Sequence, residues 1–145
     1  MRLSTRARYG LRALVALARS AGEPLSSDRL ARSEEVSKKY LDHILARLRS
    51  AGIVESRRGW GGGYRLARPA ADIKVSEVVR VLEGGFGVVP CVDDPAGCAK
   101  SGRCSAREVW CTVSAAVHEV LSGLTLAELA RGTPPATPPS LMYHI

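Results

Sequence analysis

The sequence predicts a mainly α protein with a small β-hairpin wing, namely a winged helix-turn-helix followed by a long dimerisation helix. Three observations point there. Residues 1–70 carry fifteen Lys or Arg against six Asp or Glu, a net of +9, whereas residues 71–145 carry six against eight, a net of −2. Within the basic part, apolar residues recur at helical spacing twice, on either side of a short serine-capped helix, before giving way to a two-residue alternation around a glycine-rich turn. Further on, an apolar stripe from Val109 to Leu124 is longer than a module of this size needs internally.

The elements follow in order. Ser4 and Thr5 precede a run in which Leu11, Leu14, Val15 and Ala18 share one face, with Arg6, Arg8, Arg12 and Arg19 elsewhere; this predicts a helix over about 5–20, ended by Ala21, Gly22 and Pro24. Ser26 or Ser27 caps a short second helix that carries Leu30 and runs to about Ser33. Ser37 caps a third, whose Leu41, Ile44, Leu45 and Leu48 fall at i, i+3, i+4 and i+7, with Gly52 just past its end. Ile53–Arg57 alternates like a strand, Gly59 to Gly63 turn the chain, and Tyr64–Leu66 is the return strand. Residues 1–70 thus read as the winged helix-turn-helix module.

Residues 71–131 read as a second part. Ser76–Glu83 is a helix with Val75, Val78, Val79 and Leu82 inward, ended by Gly84 and Gly85. A loop rich in Gly, Pro and Asp spans about 86–103, and a helix over about 104–124 carries Val109, Val113, Ala116, Val117, Val120, Leu121 and Leu124. That stripe is either a core face or a dimer face, and little other chain remains to cover it. Thr125 caps a last short helix, and the Pro-rich residues 132–145 are expected to be a disordered tail.

Hydrophobic residues make up 46% of the 145-residue chain but aromatics only 5%, so Leu, Val and Ala must do the packing. All four cysteines, Cys91, Cys98, Cys104 and Cys111, fall within twenty-one residues. Two disulfides would suit a secreted chain. The N-terminal run A-L-V-A-L-A, however, is too short for a signal sequence and is bracketed by Arg12 and Arg19. No stretch approaches the roughly eighteen apolar residues of a membrane span. A reducing cytoplasmic location is expected, which favours metal over disulfide: soft thiolates on one loop suit zinc or an iron–sulfur cluster. The spacing lacks the C-x2-C pair that small structural zinc sites use.

The net of +9 over residues 1–70 is strong attraction for a polyanion. In a helix-turn-helix the start of the second helix reaches base edges; here those positions hold Ser37, Lys38, Lys39, Tyr40, Asp42 and His43. Tyr40 either packs inward or meets phosphate, and the Asp42 carboxylate can accept from a cytosine amino group or repel wrong sequences. Arg57 and Arg58 at the wing tip suit a narrow minor groove, and Arg65 suits a phosphate. The glycines do not make a dinucleotide-binding turn, because Tyr64 stands where the last glycine is required and a strand follows. His43, His118 and His144 lie on separate segments, with no nucleophile placed to form a triad, so nothing resembles an enzyme site.

M-R-L-S-T-R-A-R-Y-G-L, K-Y-L-D-H-I-L-A-R-L-R-S-A-G-I-V, R-R-G-W-G-G-G-Y, V-S-E-V-V-R-V-L-E-G and the three-cysteine loop together resemble the IscR-type family of iron–sulfur-responsive transcription regulators. The likeness covers about residues 1–131. It implies a homodimer that binds double-stranded DNA, without membrane or small-molecule substrate, and whose cluster modulates promoter choice. By this resemblance Cys91, Cys98 and Cys104 are ligands of an iron–sulfur cluster, with a 2Fe-2S form ahead of a 4Fe-4S form. Lys39, Asp42 and His43 become recognition positions, Arg58 the wing arginine, and Trp60 a departure from the proline that members often have. Arg107 stands where some members have a histidine ligand, and Arg8 where others lend an acid from the partner; neither guanidinium can ligate. Cys111 and Glu108 remain for the fourth position, or Cys111 simply packs. A zinc-binding or metal-free thiol switch of the same fold is the alternative, and a small iron–sulfur electron carrier is the rival of another class.

Overall fold

A computed structural model describes residues 3–59 and 61–132; Trp60 and the expected tail from 133 onward lie outside the described residues. The order is α1 (Thr5–Arg19), α2 (Ser27–Ser33), α3 (Lys38–Ser50), β1 (Val54–Arg57), β2 (Gly63–Leu66), α4 (Val75–Glu83), α5 (Pro90–Asp93), α6 (Ser105–Ser122) and α7 (Leu126–Arg131). Serine hydroxyls start the first three helices: Ser4 accepts from the Ala7 amide, Ser26 from Arg29 and Ser37 from Tyr40, each satisfying an N–H that the helix leaves over.

The α3 face is as expected, with Leu41, Ile44, Leu45 and Leu48 all buried. The α1 face is not. Ala7, Gly10, Ala13, Leu14 and Leu17 are buried, whereas Leu11, Val15 and Ala18 are half-buried, so the inward face is rotated towards the small residues. The reason is close approach. A Cβ on Gly10 would lie 2.4 Å from Leu82 Cδ1 and 3.1 Å from Ile44 Cγ2, so α4 and α3 both press against α1 at this residue. Apolar periodicity counts large side chains and therefore misses a face made of small ones.

The strands pair antiparallel as Val54↔Leu66, Glu55↔Arg65, Ser56↔Tyr64 and Arg57↔Gly63. Leu25, before α2, adds a bridge to Tyr64 through hydrogen bonds of 2.9 and 2.8 Å, which fastens the wing to the helix-turn-helix. The Glu34 carboxylate, 8% exposed, is neutralised by Arg12 at 2.6 Å, although the Arg12 Nε–H does not align with the buried oxygen as a hydrogen bond.

One apolar core crosses position 70. It runs from Ala7 through Leu48 and Val54 to Ile73, Val78, Leu82 and Leu126. Residue 70 thus divides the chain by charge, while α4 and α7 both pack on α1. Leu126 is fully buried and its amide donates to the Ile73 carbonyl at 3.0 Å; beside it the Val75 amide donates to Leu124 at the same distance. Thr125 and Glu128 form a capping box that opens α7.

By contrast α6 buries only Ser114. It rests on α4 and α5, and along its outer side Val109 is 58% and Val113 38% exposed. The segment expected as a loop holds short helical turns, α5 and the 3-10 turns Pro95–Gly97 and Ser101–Arg103; Pro90 and Pro95 open the first two. Among the described residues no helix is long and apolar enough to cross a membrane.

Hydrogen bonds from the Thr125 hydroxyl, then from its backbone, hold the Glu128 carboxyl below the ordinary glutamate value. A lowered folded-state value means stabilisation that is present above the unfolded value and lost as pH falls through the folded one. Glu128→Gln should therefore flatten that acid limb of stability against pH, measured by urea unfolding from neutral pH downwards; an unchanged limb would remove the capping box as its source.

Candidate nucleic-acid interface and cysteine loop

Capping by Ser37 starts α3 so that Lys38, Lys39 and His43 stand exposed on its first turns, with Asp42 half-buried. Lys38 Nζ donates to Asp42 Oδ2 at 2.8 Å, one helical turn on. That hydrogen bond and the Asp42 charge raise the Lys38 pKa above its ordinary value. The Asp42 carboxylate is thus already engaged in the DNA-free protein, and Lys39 is the lysine of this turn with no ion pair among the described residues. Tyr40 packs: its ring meets Tyr9 edge-on at 6.3 Å, and its hydroxyl shares a 2.6 Å hydrogen bond with Thr5 Oγ1.

On the wing, Arg57 and Arg58 are exposed and unpaired among the described residues. Trp60, expected beside them, lies outside the described residues. Arg65 differs from its wing neighbours. It sits directly opposite Glu55 in the strand register and pairs with that carboxylate, so part of its charge is spent within the hairpin. The unpaired cations at the tip of the wing and the start of α3 are therefore Arg57, Arg58 and Lys39.

The cysteine loop leaves α4 at Gly84, whose φ of +91° suits glycine. Its first arm is pinned. The Asp93 carboxylate accepts from the Phe86 and Gly87 amides at 3.3 and 2.8 Å, and the Val88 amide donates to Ser114 Oγ at 3.1 Å. Arg107 Nε donates to the Cys91 carbonyl at 3.0 Å. So Arg107 holds Cys91 against the first turn of α6. The second arm has only local turn bonds, such as Cys98 N to Pro95 O at 3.3 Å and Ser101 N to Cys98 O at 3.0 Å. Cys104 is the residue immediately before α6.

All four cysteines are free thiols and half-buried. Three soft donors on one loop suit an iron–sulfur cluster by their chemistry. Yet among the described residues no three His, Cys, Asp or Glu side chains lie close enough together to hold a metal ion. Ligation by Cys91, Cys98 and Cys104 therefore requires the three thiols to come closer together, and the second arm is the one held by local backbone turn bonds among the described residues. Cys111 stands nearly two turns along α6 from Cys104, roughly 10 Å at the helical rise, and Glu108 points outward, exposed. Neither is gathered with the other three.

Arg107, Asp93 and Ser114 were not singled out as loop anchors by the sequence reading. Ser114 did leave a signal, as a polar break inside an otherwise apolar stripe, whereas the Arg107 contact with Cys91 spans sixteen residues and leaves none.

The family described as Rrf2, iron-dependent transcriptional regulator, matches residues 3–132. The chain is 38% identical to the protein rrf2 of Nitratidesulfovibrio vulgaris, over 90% of this chain and 88% of that one. Among solved structures it is similar to CymR, the global cysteine regulator of B. subtilis, with 36% identity, a TM-score of 0.74 and coverage of 92% of this chain and 99% of that chain. It is equally similar in fold to T. potens IscR, with 33% identity, a TM-score of 0.74 and coverage of 99% and 97%. These relatives are regulators and not enzymes. A basic winged helix-turn-helix, a thiol-bearing loop and full-length likeness to such proteins lead to one assignment: the chain belongs to the Rrf2 family of helix-turn-helix transcriptional regulators, to which the IscR-type resemblance pointed.

Proposed function

We propose that this regulator works in the cytoplasm as a homodimeric repressor whose grip on double-stranded DNA changes with an iron–sulfur cluster held by Cys91, Cys98 and Cys104. It would then report redox, iron or nitric oxide status. The observation that carries the reading is the set of three free, half-buried thiols on a loop braced between α4 and α6. A bound cluster supplies a cross-link between thiolates that oxidants and nitric oxide can break.

The chain's own residues do the rest. Lys39, Asp42 and His43 face base edges in the major groove, while Arg58 enters the minor groove beside it. Lys38 steers the Asp42 carboxylate, and Arg57 adds charge at the wing tip. Arg65, shared with Glu55, contributes a weaker phosphate contact. The groove along Val113, Ala116, Val117, Val120 and Leu121, entirely apolar, is the face that a second copy covers. Two copies joined there present two recognition helices, and the matching target is an imperfect palindrome with half-sites about one helical turn apart.

A metal-free or zinc-binding thiol switch is the second reading. Two observations favour it: the thiols are not gathered into a ready site, and the similar CymR is named a cysteine regulator.

Anaerobically purified protein should be coloured, and Cys→Ser at position 91, 98 or 104 should bleach it, whereas Cys111→Ser should leave the visible absorbance. A colourless preparation with stoichiometric zinc, whose removal leaves DNA binding unchanged, would end the cluster reading. Arg58→Ala should weaken binding to the specific site by about 1–3 kcal/mol and random duplex much less, in anisotropy titrations at physiological salt. No sequence preference in the unsubstituted protein would favour the electron carrier. Val113→Glu should convert a dimer to a monomer in sedimentation without loss of helical circular dichroism; an unchanged dimer would place the interface elsewhere.

A further inference from the structure

Glu83 is the last residue of α4 and the last before the cysteine loop. A carboxylate there opposes the helix dipole, since the C-terminal end of a helix is its negative end. No cation neutralises it among the ion pairs of the described residues. What holds it is the start of α1. Glu83 Oε1 accepts from the Ser4 amide at 2.9 Å and from the Ser4 hydroxyl at 2.5 Å. The same hydroxyl accepts from the Ala7 amide at 3.3 Å, so one serine caps α1 and ties it to the end of α4.

The next residue continues the connection. Thr5 Oγ1 shares its 2.6 Å hydrogen bond with the hydroxyl of Tyr40, which stands on α3 between Lys39 and Asp42, and Tyr9 braces the Tyr40 ring. One helical turn further, Gly10 lets Leu82 and Ile44 close on α1 from α4 and α3. The first turns of α1 are therefore bonded on one side to the root of the loop and on the other to the start of the recognition helix. The two sets of hydrogen bonds thus meet on the adjacent residues Ser4 and Thr5, one peptide unit apart.

We propose that Glu83 is a positioning residue for the recognition helix, acting through Ser4, Thr5 and Tyr40, and that this path carries the state of the cysteine loop to Lys39, Asp42 and His43. The proposal rests on the DNA-binding reading of α3, and its loop-dependent half on the thiol reading of the loop.

The test is a mutant cycle on the full chain, read by anisotropy on the specific site and on random duplex, with thermal unfolding as a check of the fold. Glu83→Ala should weaken specific binding roughly tenfold, the scale of one charge-assisted hydrogen bond lost, and random duplex by less than about twofold. Glu83→Gln, which keeps an acceptor oxygen, should recover most of the loss. Tyr40→Phe should weaken binding similarly, and the double variant should be no weaker than the weaker single one. Additive losses, equal losses on both DNAs, or a Gln variant no better than Ala would overturn the assignment. If Glu83→Ala unfolds at the assay temperature, Ser4→Ala with Tyr40→Phe forms the same cycle under the same criteria. Diamide-oxidised and reduced protein are then compared. A difference in affinity present in the unsubstituted protein should collapse in Glu83→Ala; its persistence there would overturn the path while sparing the thiol reading. No difference in the unsubstituted protein would remove the thiol reading and the loop-dependent half with it, leaving the cycle to judge the positioning of α3.

Discussion

Everything in this molecule is arranged around the close approach of α1 to its neighbours at Gly10. The atoms of Leu82 and Ile44 occupy the space that a side chain there would need. The small Gly10 lets α3 and α4 close on α1, which also packs on α7, and well-packed interiors transmit displacement because they do not compress. A winged helix-turn-helix needs its recognition helix held rigidly at a set angle. Here the same helix that supports α3 also carries α4, so the mount of α3 and the root of the cysteine loop share one body.

Charge is layered on this frame with some economy. Several basic side chains are already committed within the protein: Arg12 to Glu34, Lys38 to Asp42, Arg65 to Glu55 and Arg68 to Glu77. Whereas Arg12 neutralises a buried carboxylate, the three exposed pairs contribute little to stability. Their effect is on where positive potential remains, since pairing lowers it along the hairpin stem and leaves it at the wing tip. At the wing tip and at the start of α3 the cations left unpaired among the described residues are therefore Arg57, Arg58 and Lys39. Pairing Asp42 with Lys38 has a second effect: the one acidic side chain at the start of α3 is partly neutralised by its neighbour.

Much of this was legible in the residues. The buried stripe of α3, the serine caps, the hairpin and the inward face of α4 follow from spacing and from the chemistry of single positions, and these place the fold. What escaped was long-range or made of small atoms. The face of α1 was misjudged because Ala7, Gly10 and Ala13 carry no apolar weight in a periodicity count. Pairing of Arg65 with Glu55 depends on strand register, which a turn of uncertain length does not define. Arg107 reads in the sequence as a position that cannot ligate, and its bond to the Cys91 carbonyl depends on how the loop folds back. For Tyr40 the sequence allows two roles, and the contact with Thr5, thirty-five positions away, decides for packing.

The bridge between Lys74 and Thr125 has a mechanical consequence. It fastens together the two ends of the excursion that contains α4, the loop and α6, and with Leu126 buried beside it that point is a fixed pivot. From there α6 reaches back as an arm of eighteen residues with one buried side chain along its length. At 1.5 Å per residue the arm is about 27 Å long, so a swing of about 5° moves its far end by roughly 2 Å. Cys104 stands at that far end and Cys111 only part of the way out. Because Arg107 ties Cys91 to that same end, such a swing would carry Cys91 and Cys104 together and change chiefly their distances to Cys98.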